Sequence, residues 1–289
     1  MPTSPAVASI SAPVPMHVGG QGSVLVLLHG IGGTWEIWKP VLPALEARHR
    51  VVALTLPGHF GGPAVAGEGD ATVAALADQL VSMLRDQGIE HAHVVGNSLG
   101  GWLSLELARR GFARTVTAFS PAGGWRNNED YRAIATPFKV FYAVVGAILA
   151  LATPFARFSW VRRFLTKEMM EHGERMPPAE FLQMLRAMAH TSVLPGLLRT
   201  MDRAIPQALQ PRGSAPITIA WGEHDRVIPY AKYGVVFRER VDRLHETVVA
   251  NAGHVPMWDN PQEVVAQILA VTSAEDSRLA SAAVHEATA

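Results

Sequence analysis

The chain has 289 residues, of which 48% are hydrophobic and 17% charged, and its 25 Lys and Arg balance 25 Asp and Glu. This composition argues against intrinsic disorder and is typical of a chain that buries a large core. Zero net charge without a long basic run excludes an electrostatic footprint for nucleic acid, and the absence of cysteine excludes disulfides, thiolate metal sites and cysteine nucleophiles.

No segment predicts export or insertion into a membrane. The longest unbroken apolar run, residues 140–152, is too short to span a bilayer. Because this run also lacks the charged face of an interfacial helix, we expect it to be buried. No Lys or Arg precedes Lys39, so the basic region of a secretory signal is not visible. We therefore expect a cytoplasmic protein without an integral membrane span, and the sequence leaves open whether it forms a homo-oligomer.

Short apolar runs recur along the chain after a proline-rich start. Residues 1–15 carry four prolines and predict a mobile arm or an irregular edge strand. The runs that follow predict strands that are buried on both faces of a parallel sheet. The predicted strands are 24–28, 51–54, 93–95, 115–119, 217–221 and 247–249.

Helical patterns lie between several of these strands, which predicts βαβ units and a mostly parallel sheet. Asp70 is the expected N-cap of one helix, and Gly88 is its expected end. The apolar stripe of this helix consists of Val73, Leu76, Leu80, Met83 and Leu84.

The alternation stops between residues 119 and 217, where the pattern predicts helices only. We interpret residues 121–214 as a helical cap on a core formed by residues 1–120 and 215–273, and residues 274–289 as a disordered tail. We expect about two thirds of the apolar cap residues to seal the cap onto the sheet and the remainder to line a pocket. The large ones are Phe138, Phe141, Tyr142, Ile148, Phe155, Phe158, Trp160, Phe164 and Phe181.

The motif Gly96-Asn97-Ser98-Leu99-Gly100 directly follows the predicted strand 93–95 and precedes an apolar segment of helical character. In a turn this tight, the residues two before and two after the serine must lack bulky side chains, and the serine oxygen is pushed out above the sheet. The pattern also arises by chance in glycine-rich chains, so its weight comes from the strand before it and the helix after it. This context predicts that Ser98 is a nucleophile.

A serine hydroxyl needs an adjacent base, and a histidine oriented by a carboxylate supplies one. Of the twelve histidines, His254 follows the last predicted strand, in a loop where parallel sheets place their chemistry. Asp225 follows the preceding strand and is the expected acid, with Glu223 and Asp202 as alternatives. Asp225 can also cap the helix that begins near Pro229.

The chain order Ser98, Asp225, His254 is that of one fold, and the sequence resembles the α/β-hydrolase superfamily over residues 23–271. Segment 29–33 (HGIGG) looks like the HG loop of that family, and segment 54–60 (LTLPGHF) looks like its D-x-P-G-H-G element, with Thr55 and Phe60 as departures. The resemblance implies an α/β fold with an eight-stranded, mostly parallel sheet flanked by helices. It also implies a helical cap inserted after the sixth strand.

The resemblance implies two-step acyl transfer, in which His254 takes the Ser98 proton and Asp225 fixes the imidazole tautomer. The backbone N–H groups of Leu99 and Ile31 would hold the oxyanion, with Gly32 as the alternative to Ile31. This chemistry needs no cofactor and no metal. In the same interpretation His29 is a structural residue of the HG loop.

The apolar cap favours a small hydrophobic acyl substrate, a carboxylic ester or thioester cleaved by water, over a sugar or a peptide. Side chains beside the catalytic loops are candidate substrate contacts, although core packing is an equal alternative for the tryptophans. These candidates are Trp35, Trp102, Val227 and Val255.

Three alternatives remain. The segment 96–101 (GNSLGG) also resembles carbon–carbon bond hydrolases of the meta-cleavage-product type, but their Gly-Pro-Gly element and the Trp after the catalytic His are replaced here by segment 32–34 (GGT) and by Val255. A cofactor-free perhydrolase or haloperoxidase would use the same triad, whereas dehalogenases and epoxide hydrolases need a carboxylate nucleophile, against which Ser98 argues. A non-enzymatic ligand-binding scaffold is the most distant alternative, since such scaffolds usually lose a triad member.

Overall fold

The structure is a computed structural model that describes residues 15–67, 71–201 and 215–288. One seven-stranded sheet consists of β1 (Met16–Gly19), β2 (Ser23–Leu28), β3 (His49–Leu54), β4 (Ala92–Asn97), β5 (Ala113–Phe119), β6 (Ile217–Gly222) and β7 (Leu244–Val249). The order across the sheet is β1-β3-β2-β4-β5-β6-β7. All neighbouring strands are parallel except β1 and β3.

Helices flank this sheet, which gives the predicted α/β architecture. Within the described residues they are α1 (Leu42–Glu46), α2 (Val73–Arg85), α3 (Leu99–Arg109), α4 (Asn128–Ala152), α5 (Ser159–Thr166), α6 (Pro178–Ala189), α7 (Leu194–Thr200), α8 (Tyr230–Tyr233), α9 (Phe237–Arg240), α10 (Pro256–Asp259) and α11 (Pro261–Thr288). Short 3₁₀ turns cover Trp35–Trp38, Thr153–Phe155, Gly173–Arg175 and Gly234–Val236.

The central strands are mainly apolar because both faces of the sheet are covered. In β2, Val26 and Leu28 belong to one core cluster, together with residues of α2 and α3. Leu25 and Leu27 point to the other cluster, which contains residues of α1 and α11. Alternate side chains of one strand thus fill two separate cores, as a buried parallel sheet requires.

Two details of the predicted core differ from the structure. Within the described residues the sheet has seven strands where eight were expected, and the helical insertion follows the fifth of them. Thr72 caps α2 by accepting the N–H of Ala75 (3.0 Å), while the predicted cap Asp70 lies outside the described residues. The proline-rich segment 1–14 also lies outside them.

The prediction of a disordered tail at 274–289 is wrong, because α11 continues to Thr288. Six of its sixteen residues are Ala, the residue with the highest helix propensity. Asp276 also fixes the helix to the sheet, since its carboxylate accepts the Ser23 hydroxyl (2.6 Å) and lies 3.0 Å from Nε2 of His93.

The described part of the insertion between β5 and β6 contains α4 to α7 and no strand. We call residues 121–201 the cap. The predicted boundary at residue 214 stays a prediction, since residues 202–214 lie outside the described residues.

The expected burial of the run 140–152 is wrong. Only Val145 and Ala152 of this run are buried, whereas Val140 and Leu151 are 61% and 73% exposed. Among the described residues, one helical segment, Asn128–Phe155, is long and apolar enough to cross a membrane by length and composition. Its most apolar window has a mean hydropathy of 1.9 and is 11% buried. Apolar composition predicts that a helix has a covered face, but it does not reveal which neighbour covers it.

Candidate active site

Ser98 stands at the sharp turn between β4 and α3 with φ 55° and ψ −115°, a conformation that non-glycine residues rarely adopt. Its backbone is fixed on both sides, because its N–H donates to the Phe119 carbonyl (3.0 Å) and its carbonyl accepts the N–H of Ala122 (2.9 Å). The turn therefore holds the serine in a strained position above the carboxyl end of the sheet.

The flanking glycines are required by close backbone contacts. A Cβ at Gly96 would lie 2.0 Å from the carbonyl oxygen of Gly100, and a Cβ at Gly100 would lie 2.1 Å from the carbonyl oxygen of Leu28. No side chain fits at either distance, so the spacing of the motif has the mechanical reason that the sequence suggested.

His254 and Asp225 meet across two loops at the same end of the sheet. Nδ1 of His254 lies 2.8 Å from Oδ2 of Asp225, and both side chains are buried. An ionised carboxylate only accepts hydrogen bonds, so Nδ1 carries the hydrogen and Nε2 is left as the basic nitrogen. The other carboxylate oxygen of Asp225 accepts the N–H groups of Val227 and Ile228, each at 2.9 Å.

The alternative acids are not in this position. Glu223 accepts the N–H of Asn251 (2.8 Å) and thereby ties the acid loop to the turn before His254. Asp202 lies outside the described residues. Asp225 is thus the one of the two described candidates that contacts the histidine.

Ser98 and His254 line the same cavity. Asn97 couples their two loops, because its side-chain amide donates to the carbonyl of Phe119 (3.1 Å) and to that of His254 (2.8 Å). The residue before the serine therefore holds the backbone of the histidine, a role that the sequence analysis did not find. The signal available in the sequence was an amide side chain directly before the serine.

The two residues predicted to hold the oxyanion adjoin Ser98 or line its cavities. Leu99 is the first residue of α3, so its N–H has no partner within the helix. Ile31 lies in the HG loop and lines both cavities that contain Ser98. Gly32, the alternative to Ile31, has φ +76° and contacts the cap instead.

His29 is a structural residue of the HG loop in this arrangement. Its Nε2 accepts the N–H of Leu56 (2.9 Å), and Nδ1 lies 2.7 Å from the carbonyl of Gly30. Burial, reinforced by the neighbouring His59, lowers the pKa of His29 well below its ordinary value. Burial also lowers the pKa of His59 from 6.5 to about 4. Both imidazoles are therefore neutral at physiological pH.

These buried histidines predict a loss of stability in mild acid. Between pH 6.5 and about 4, His59 takes up a proton only when the chain unfolds, so the free energy of unfolding falls as the pH falls through this window. The shift corresponds to about 3 kcal/mol by pH 4. Urea unfolding across this range should show a flatter pH dependence for His59→Gln, whereas the exposed control His91→Gln should follow the original protein. An unchanged slope for His59→Gln would show that the folded protein also binds the proton.

Ser98 lies between two small, mainly apolar cavities of about 50 Å³ each. The first extends on the Leu99 side towards Trp125 and Leu198, and the second extends on the His254 side towards Met184. Phe138 of the cap lines both.

The four candidate contact residues divide evenly. Val227 lines the first cavity and Val255 the second. Trp35 instead stacks on His17 with ring centroids 5.0 Å apart, and Trp102 is buried against Trp125. The two tryptophans thus have the packing roles that the sequence analysis gave as their alternative. The cap supplies further lining residues of these two cavities, namely Phe138, Ile134, Met169, Met184 and Met188. Tyr142 lines a neighbouring cavity together with Phe138 and Val227.

Within the described residues, no group of three or more His, Asp or Glu side chains is arranged to hold a metal ion. The chemistry available at this end of the sheet is that of a serine, a histidine, a carboxylate and backbone amides.

Comparisons with known proteins found relatives that cover most of the chain. The chain is 32% identical over 208 residues to the epoxide hydrolase EphH of Mycobacterium tuberculosis, covering 66% of this chain and 90% of that protein. It is 29% identical over 262 residues to pimeloyl-(acyl-carrier protein) methyl ester esterase of Aeromonas hydrophila, covering 85% and 94%. A thermophilic esterase from Thermogutta terrifontis has a similar structure, with a TM-score of 0.71, 19% identity and coverage of 90% and 93%.

The family profile described as the alpha/beta hydrolase family matches residues 25–268. This match covers most of the chain and includes the turn with Ser98 and the loops with Asp225 and His254. The chain belongs to the alpha/beta hydrolase family.

Proposed function

We propose that the protein is a serine hydrolase that cleaves a hydrophobic carboxylic ester or thioester. The observation that carries this proposal is the 2.8 Å contact between His254 and Asp225, beside a serine in the strained turn that lines the same cavity as His254. The similarity to a methyl ester esterase supports the same reaction class.

The reaction proceeds in two steps. Nε2 of His254 takes the proton of Ser98 as its oxygen attacks the acyl carbonyl, and the N–H groups of Leu99 and Ile31 stabilise the oxyanion. The protonated imidazole then gives its proton to the leaving alcohol or thiol, which leaves an acyl group on Ser98. Water, deprotonated by His254, releases the acid and restores the serine.

The two cavities beside Ser98 suit the two arms of such a substrate. Both are small, about 50 Å³ each, and both are lined mainly by apolar side chains, as ligand sites are. One takes the acyl chain and the other the alcohol, and this arrangement disfavours sugars and peptides, whose many polar groups would lose hydrogen bonds to water.

An ester and thioester panel of graded chain length, combined with a fluorophosphonate probe, tests this proposal. We expect turnover that rises with chain length until a cavity is filled, and one probe adduct per chain that maps to Ser98 by mass spectrometry. The panel includes epoxides, because a relative is named an epoxide hydrolase. A hydroxyl nucleophile leads us to expect no epoxide opening. Epoxide turnover without ester turnover, or an adduct at another residue, would contradict the proposal.

Tyr142 provides a further prediction about this site. Its hydroxyl is buried without a hydrogen-bond partner in the described structure, and a Cβ at Gly32 would lie 1.7 Å from it. Burial raises the pKa of Tyr142, so the phenol remains a proton-bearing donor. We expect it to donate to a substrate oxygen beside the HG loop.

Tyr142→Phe should therefore lower kcat/KM about tenfold, the effect of one lost hydrogen bond to substrate, without lowering the free energy of unfolding. Tyr230→Phe is the matched control, because the hydroxyl of Tyr230 bonds Glu246 away from the cavities (2.8 Å). Steady-state kinetics and urea unfolding measure both effects. Unchanged kinetics for Tyr142→Phe would show that this hydroxyl does not contact the substrate.

A further inference from the structure

The cap carries an apolar stripe that no part of the described chain covers. Val140, Val144 and Leu151 are 61%, 45% and 73% exposed, and their spacing along α4 places them within about 40° of one another on the helix surface. The stripe is about 17 Å long. It continues into the following turn, where Phe155 is also exposed.

The adjacent helix α5 extends this surface with aromatic rings. Its residues Val161, Arg162 and Thr166 face the protein, while Trp160 and Phe164 are 67% and 62% exposed. A single exposed apolar residue needs no explanation, but a continuous group of this kind marks an interaction site. We call the exposed faces of α4, the turn after it and α5 the cap surface.

The charge of this segment differs from that of the chain as a whole. Between Tyr131 and Lys167 there are six basic residues and no Asp or Glu, although the complete chain is neutral. The basic residues are Arg132, Lys139, Arg157, Arg162, Arg163 and Lys167. All except Arg162 are exposed.

Two cations on this surface lie next to aromatic rings. The guanidinium of Arg157 lies 4.7 Å from the ring centroid of Phe158, and the Lys167 ammonium lies 5.1 Å from that of Phe164. Arg132 and Lys139 lie about 80–100° around α4 from Val140, at one flank of the stripe. Long basic side chains in such positions can reach anionic groups while the apolar face is covered.

We propose that the cap surface docks onto an anionic lipid bilayer, with α4 and α5 lying in the plane of the membrane interface. Exposed Leu, Val and Phe would enter the acyl boundary, Trp160 would lie at headgroup level, and the cations would contact lipid phosphates. Docking does not depend on the proposed ester hydrolysis.

The charge of the cap surface favours an anionic lipid bilayer over a second copy of the chain as its partner. A two-fold symmetric contact through the cap surface would place five exposed cations opposite the same five cations. The exposed Glu168 and the carboxylate of Glu174, 3.8 Å from Arg163, compensate only part of this charge. An arrangement in which α4 crosses the membrane is also disfavoured, because Tyr131, Ala135 and Val145 on the other side of the helix are buried within the protein.

Vesicle flotation tests the proposal with the complete chain. We expect binding to vesicles of phosphatidylcholine mixed with phosphatidylglycerol, weaker binding to phosphatidylcholine alone, and release at high salt. The charge variant Lys139→Gln/Arg163→Gln/Lys167→Gln should weaken binding to the anionic vesicles by about 100-fold.

The apolar variant Leu151→Gln/Trp160→Gln should also weaken binding, whereas Val248→Gln, at an exposed apolar position on β7, should not. Unchanged thermal midpoints verify the fold of each variant. The absence of binding to anionic vesicles, or equal binding by all variants, would overturn the proposal. So would a dimer in light scattering that the apolar variant dissociates while vesicles do not bind the protein.

Discussion

Replacing Ser98 with alanine is expected to lower the turnover of esters by about a million-fold, because every later step requires the acyl group on this oxygen. The hydroxyl makes no contribution to the turn, which is fixed by the backbone hydrogen bonds of Ser98 to Phe119 and Ala122. Alanine tolerates the positive φ about as well as serine, so the thermal midpoint should move by no more than a few degrees. Hydrolysis of a p-nitrophenyl ester and differential scanning calorimetry measure the two effects.

The control is Ser277→Ala, which removes an exposed hydroxyl on α11 and should leave turnover unchanged. Substantial remaining activity in Ser98→Ala, together with labelling by the fluorophosphonate probe, would mean that another residue is the nucleophile. Loss of activity accompanied by a large drop in the thermal midpoint would instead show that the hydroxyl supports the turn.

The strands and the serine motif could be predicted from the sequence because both depend on local patterns. All six predicted strands are present, since runs such as 24–28 must fill two cores and allow no polar side chain. The serine motif combines two steric requirements, at Gly96 and Gly100, that only glycine meets in this geometry. Such constraints act over a few residues and therefore appear directly in the sequence.

The cap was predicted less well because its packing is set by partners far along the chain. The lack of strand patterns predicted helices in this segment, but it did not show that Phe138 contacts the cavity while Leu151 faces outward. Trp35 and Trp102 were chosen because they follow the HG loop and the serine in sequence, yet their rings pack on His17 and Trp125. Proximity along the chain is a poor guide to which side chains line a cavity.

The acid of the proposed triad is the point at which the structure adds most to the sequence. Three carboxylates were candidates from their position alone, and chain order did not separate Asp225 from Glu223, two residues earlier. The difference lies in the turn, where the N–H groups of Val227 and Ile228 hold one oxygen of Asp225 and direct the other at His254. Glu223 is directed at the N–H of Asn251.

This geometry makes Asp225→Asn a sharp test of the tautomer. The asparagine carbonyl can keep both turn hydrogen bonds, so the amide nitrogen takes the place of the oxygen that faces His254. An amide nitrogen donates to Nδ1 and cannot accept from it, and the imidazole hydrogen must then reside on Nε2. His254 can no longer take the serine proton, and we expect kcat to fall by about 10⁴ with little change in stability.

Steady-state kinetics and ¹⁵N NMR of the imidazole measure the loss and the tautomer together. Glu223→Gln is the matched control, because its carbonyl can still accept the N–H of Asn251 and its charge change is the same. Asp225→Asn with nearly full activity would reduce Asp225 to a turn-forming residue. Equal losses in both variants would mean that negative charge at this loop matters more than the orientation of the histidine. A large loss in Asp225→Asn alone, with the hydrogen on Nε2, identifies the carboxylate as the group that keeps His254 basic towards Ser98.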